Sequence, residues 1–188
     1  MKRLWMTITL IALLSLIFAG CNVGQISSKI SDKDYISETL ILFLAQNAVA
    51  HFWHVSSGGK IIYPEEGYLE TFYNNDIEYR YFGEDLDSME KLYRYLGEVY
   101  SEESIDEYVK LANIIEFEGK LAQPNADGGD LRMWEAAKII EIDEKDNKKV
   151  CMLEVPYPEN VAEAELVIVT IEQTKGKNWV VFNIPGSF

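Results

Sequence analysis

His51 and His54 stand three residues apart in Asn47-Ala-Val-Ala-His51-Phe-Trp-His54, a spacing that turns both imidazoles to one side of a helix. Zinc needs three or four protein ligands. The chain has only these two histidines and no His-Glu-x-x-His or Cys-x-x-Cys pattern, so with Asn47 they read as a polar stripe, and no metal site is expected. Asn125-Ala-Asp-Gly-Gly-Asp130 places carboxylates beside glycines, a composition that suits calcium. An EF-hand loop carries its glycine at the sixth position and a bidentate Glu at the twelfth, and this stretch matches neither. It reads instead as a tight loop: Pro124 stiffens its entry, Gly128 and Gly129 are free to take positive φ, and Asn and Asp bond their own backbone. Glu65-Glu66 and Glu102-Glu103 read as solvated faces and helix-start charges. Cys151 sits in the apolar run Val150-Cys-Met-Leu153, the setting of a buried, inert thiol. With no nucleophile elbow, phosphate-binding loop or dinucleotide fingerprint, neither catalysis nor a cofactor is expected.

These residues need elements to hold them. Tyr35 to about Val55 reads as one helix, opened by Asp34 and closed by Ser56-Ser57-Gly58-Gly59. Ile36, Leu40, Phe43, Leu44, Ala48, Phe52 and Val55 form its apolar stripe, widened by Ile41, Ala45, Val49 and Trp53, so packing on more than one side is expected. Tyr68 to Tyr73 and Ile77 to Phe82 flank Asn74-Asn75-Asp76 as a β-hairpin. Leu86-Asp87-Ser-Met-Glu90 is a capping box with Asp87 as cap, starting a helix to about Tyr100, and Ser101 caps another to about Ala112. Beyond Asn113 the period changes to strands: 114–117 and 120–123, 137–142 and 149–155, then 164–173 and 179–184, each pair around a turn. Helices first and hairpins after predict an α+β fold, N-terminal helices packed on a curved antiparallel sheet of hairpins, in one lobe or two.

Seventeen basic residues against 31 acidic ones give the chain a net charge of -14, which repels nucleic acid and anionic lipid. Its first 21 residues read as an export leader: basic Lys2 and Arg3, an apolar run from Leu4 to Ile17, then small Ala19 and Gly20 before Cys21. The run is shorter than the ~20 residues a transmembrane span needs. Phe18-Ala-Gly-Cys21 resembles the lipobox of bacterial lipoproteins, with Phe18 where Leu is usual, and implies that Cys21 carries lipid. Two acyl chains hold a protein stably at a membrane. The expected organisation is a signal peptide over 1–20, a lipidated N-terminus and tether over 21–34, and one domain over 35–188, anchored to the outer face of the cytoplasmic membrane and facing the cell wall. Removing Lys2 and Arg3 with the leader lowers the net charge to -16. With Cys21 lipidated, Cys151 has no disulfide partner.

Gly119-Lys-Leu-Ala-Gln-Pro-Asn-Ala-Asp-Gly-Gly129 followed by Trp134 resembles the signature stretch of the IseA family, bacterial inhibitors of cell-wall DL-endopeptidases. Phe52-Trp-His-Val-Ser-Ser-Gly-Gly59 and Tyr79-Arg-Tyr-Phe82 add weaker similarities in the same order. The resemblance implies a two-lobed α+β fold without enzyme activity, whose partner is an NlpC-type cysteine endopeptidase that cuts peptidoglycan stem peptides. An anchor at Cys21 departs from the family's secreted habit. The expected function is therefore an envelope-tethered, monomeric inhibitor that covers the peptidase groove and restrains autolysis. Gln123, Pro124, Asn125, Ala126, Asp127, Gly128, Gly129 and Asp130 are the candidate inhibitory loop, and Asp127 is placed to imitate a glutamyl carboxylate. The rival reading is a ligand-binding or scaffold lipoprotein with a small-molecule pocket, which a deep apolar cavity would favour.

Overall fold

The computed structural model describes residues 36–61, 70–126, 128–145, 147–176 and 178–183. The leader, Cys21, the tether and Asp127 lie outside them.

Helix α1 (Glu38–Ser56) opens at Ser37, whose hydroxyl accepts from the Leu40 N–H. It starts later than the apolar pattern suggests, and Asp34 lies outside the described residues. Three N–H groups reach back at its C-terminal end, Ser57 to Trp53 O, Gly58 to Val55 O and Gly59 to His54 O. Gly58 and Gly59 have φ of 95° and 76°, a left-handed exit that glycine takes at little cost. Ile41, Leu44, Ala45, Ala48 and Val49 are buried at helical spacing. Leu40 and Phe43, which the pattern also places in the stripe, remain 38% and 57% exposed. An arc this wide exceeds what its neighbours cover.

Strands β1 (Thr71–Asn74) and β2 (Ile77–Tyr81) pair antiparallel. Asn75 and Asp76, at φ 49° and 64°, form the two-residue turn whose twist matches that of the strands. Helix α2 (Met89–Leu96) is capped by Ser88 rather than Asp87, and ends at Gly97, short of Tyr100. Helix α3 (Glu102–Leu111) is capped by Ser101 as the sequence indicates. Strands β3 (Ile115–Phe117) and β4 (Lys120–Pro124) turn at Glu118-Gly119, also with positive φ. A short 3₁₀ turn at Trp134–Ala136 precedes β5 (Lys138–Lys145), β6 (Lys148–Val155), β7 (Glu165–Gln173) and β8 (Trp179–Asn183).

The strands form two four-stranded antiparallel sheets, in orders β1-β2-β4-β3 and β5-β6-β7-β8. The fold is α+β with two sheet lobes, one strongly curled. The first hairpin joins the second because β2 pairs with β4, Arg80 facing Gln123 in the register. In the second sheet bulges fall at Ile139/Glu141 and Thr170/Ile171, where an extra residue bends the strand. Strand β6 alternates strictly, with Lys149, Cys151, Leu153 and Val155 inward.

One core joins helices and sheets: Ile41, Val55, Leu92, Ile105, Leu121, Leu153, Val169 and Ile171 belong to a single buried cluster. Each such aliphatic side chain contributes roughly 1.5–3 kcal/mol by leaving water. The segment between α2 and α3 bonds the edge of β8 through Val181 N–H to Val99 O and Ser101 N–H to Val181 O. Beside it, buried Tyr100 donates to Ala48 O in α1 at 2.7 Å. Among the described residues no helix is long and apolar enough to cross a membrane.

Candidate functional site

Strand β4 delivers the chain into the 123–134 segment, and its last residues are held from beneath. Gln123 is 5% exposed. Its Nε2 donates to Val55 O at 3.2 Å and Ser56 O at 3.0 Å, two carbonyls at the end of α1. Its register partner Arg80, also buried, donates from Nη2 to the same Ser56 carbonyl. A cation under a helix C-terminus meets the negative end of the helix dipole, which offsets part of the cost of burying a guanidinium whose Nε has no hydrogen-bond partner among the described residues.

Beyond Gln123 the chain emerges. Pro124 is half-buried, while Asn125, Ala126, Gly128 and Gly129 are exposed. Asn125 is tied to β2 by its N–H to Glu78 O at 2.8 Å and its Nδ2 to Glu78 Oε2 at 3.0 Å. Gly128 lies on the edge of the Trp53 indole, where a Cβ would stand 3.3 Å from Cζ3. Neither crowding nor a left-handed φ demands glycine at Gly129, so the positive φ that its type permits is not used.

Asp130 anchors the far end. Its carboxylate accepts from Arg132 N–H at 2.9 Å, Arg132 Nε at 2.8 and 3.0 Å, and Trp134 Nε1 at 2.8 Å. Burial pushes this carboxyl up, but the bonds from Arg132 and Trp134 outweigh it and hold the group below the usual carboxylate range. The Arg132 guanidinium lies over the Trp134 ring at 5.1 Å, and its Nη1 is 3.8 Å from Glu165 Oε2. Trp134 is buried, and its carbonyl accepts from Gln46 Nε2 on α1 at 3.0 Å. The candidate residues thus divide: Gln123 and Asp130 are fastened inward, and Asn125, Ala126, Gly128 and Gly129 between them face solvent. Nothing in the local sequence signals the Gln123 fastening, because both its partners lie more than 60 residues away, whereas Asp130 bonds residues only two and four positions on.

An open cleft of about 310 Å3 runs beside this segment. Gln46, Val49, Ala50 and Trp53, at helical spacing on α1, make one wall; Asp130, Arg132 and Trp134 make the other, and Glu135 sits at the rim. A second open groove, of about 510 Å3, lies between the start of α3 and the β7–β8 turn.

The histidines go elsewhere. His54 Nε2 donates to Asp85 Oδ2 at 2.7 Å, and Asp85 Oδ1 accepts from the Lys60 N–H. Burial raises the Asp85 carboxyl and these bonds more than reverse it. His51 donates from Nδ1 to Asn47 O, with Nε2 3.6 Å from Glu98. Both rings pack on Tyr95, at 4.4 and 5.0 Å between centroids. They pin α1 to α2 rather than converge on a common ligand. Cys151 is fully buried, and burial, only partly offset by Lys149, pushes its thiol up to about 11.

Residues 32–186 match the family model described as IseA DL-endopeptidase inhibitor. A curated relative, the uncharacterized protein YoeB of Bacillus subtilis (strain 168), is 25% identical over 180 residues, covering 93% of this chain and 94% of its own.

Proposed function

Since the chain belongs to the IseA DL-endopeptidase inhibitor family, we propose that it restrains cell-wall autolysis by occupying the catalytic groove of an NlpC-type cysteine endopeptidase with residues 123–130. The observation that carries this reading is the fastening of that segment at both ends. Gln123 is bonded to the end of α1, and Asp130 to Arg132 and Trp134, while Asn125, Ala126, Gly128 and Gly129 face solvent between them. A loop shaped in advance loses little freedom on binding. A cysteine peptidase is stopped when its thiolate and histidine are covered, so the inhibitor needs no catalytic group of its own. The walls of both clefts carry charged and polar side chains, which suits protein contact better than the enclosed apolar cavity of a small-molecule binder.

In the test, residues 22–188 inhibit a purified DL-endopeptidase at one-to-one stoichiometry. Asp127→Ala removes the proposed glutamyl mimic, and Gly128→Val drives a side chain against Trp53; each weakens inhibition with the circular dichroism spectrum unchanged. Full inhibition by both variants removes the loop from the proposal. Lipid anchorage at Cys21 belongs to the same reading, because it confines the inhibitor to enzymes near the membrane. Cys21→Ala is expected to move the protein from the membrane fraction to the medium, and retention with the membrane rejects the anchor.

A further inference from the structure

We infer that the cleft between α1 and the 128–135 segment is a recognition subsite for a basic side chain, lysine or arginine, of the partner polypeptide. Its identification of the partner as the endopeptidase rests on the inhibitor reading above. The α1 wall ends in Trp53, a partly exposed indole with Gly128 against one edge of the ring. Indole faces attract cations that come within about 6 Å of the ring centroid. The opposite wall already shows this chemistry, with the Arg132 guanidinium 5.1 Å from the Trp134 ring centroid.

Charge decides which occupant fits. Arg132 is paired with Asp130 at 2.8 Å, so the two contribute no net charge, and the exposed Glu135 carboxylate at the rim leaves the cleft negative. The chain as a whole carries -14. An acidic side chain would meet Glu135 and a paired guanidinium, whereas an ammonium or guanidinium meets an indole and an open carboxylate. The cleft adjoins the presented loop, so a partner whose groove is filled by residues 125–129 passes its rim over this position.

Two substitutions address the cleft without touching the core. Ala50→Arg, at an exposed helical position on the wall, fills it with the protein's own cation. Glu135→Lys reverses the rim charge. With the full chain at low salt, the peptide acetyl-Gly-Lys-Gly-amide should shift the Trp53 indole N–H resonance saturably, while its norleucine counterpart leaves it unmoved. Both variants should abolish the response and lower the affinity for the endopeptidase about tenfold, within the range of interfacial charge and cation–π contacts. Equal shifts with the two peptides, no shift with either, or unchanged inhibition by both variants overturns the inference. If the unmodified chain inhibits no endopeptidase, the inhibitor reading fails alone, and the lysine-selective shift or its absence still decides the chemistry of the cleft.

Discussion

The Ser56 carbonyl receives two buried donors, Arg80 and Gln123, from neighbouring strands. Gln123→Leu keeps the side-chain volume but removes both Nε2 bonds, while Arg80 still serves Ser56 O and the Gly58 N–H still serves Val55 O, so unfolding in urea should show a loss of about 1–2 kcal/mol, the net worth of buried hydrogen bonds. Asp130 is testable by pH. Its carboxyl lies below the ordinary 3.8 when folded, so its stabilisation is complete above that value and is lost as pH falls through the lower folded one. As pH falls below about 4 the unmodified chain should therefore lose more stability than Asp130→Asn. In residues 22–188 Cys151 is the sole thiol; fully buried and raised to about 11, it should resist iodoacetamide at about pH 8 until the chain is unfolded. Burial of Cys151 is legible in its apolar run. The inward turn of Gln123 is not, because a polar residue in a Pro- and Gly-rich stretch reads as solvated unless its distant partners are known.

Helix caps separate local from tertiary contributions at the scale of elements. Ser37 caps α1 at an exposed end, whereas the Ser101 hydroxyl is buried, exchanges a 2.7 Å bond with Ser104, and Ser104 in turn donates to Phe182 O in β8. Ser37→Ala should cost about 0.5–1 kcal/mol and Ser101→Ala about 1–2 kcal/mol, because only the second removes a cap coupled to tertiary hydrogen bonds. Differential scanning calorimetry of the two variants checks the order. Cap residues shifted by one place at Ser88, and α1 began at Ser37, since several Ser and Asp stand at each helix start and backbone geometry selects among them. The hairpins were plain in the sequence. Asn75-Asp76 and Glu118-Gly119 hold residues that tolerate positive φ between β-forming runs, and turns of this kind are settled locally.

Across the whole molecule, α1 holds both sheets, the first through Ser56 and the second through Ala48 and Tyr100. With a net charge of -14, association with a basic-rimmed endopeptidase should slow several-fold between about 50 and 500 mM salt while dissociation changes little, since screening acts on encounter. Stopped-flow binding at the two salt concentrations measures this. The sequence by itself determined the α+β class, the order of helices and hairpins, the acidic surface and the 119–129 stretch that resembles the family, because period, turn chemistry and charge act over a few residues. Only the tertiary structure decided that the eight strands of the described residues divide into two sheets, that Leu40 and Phe43 stay exposed, and that Gln123 fastens a loop instead of tipping it. Those outcomes depend on β2 meeting β4 and on α1 ending beneath that pair, contacts between residues tens of positions apart that no local pattern encodes.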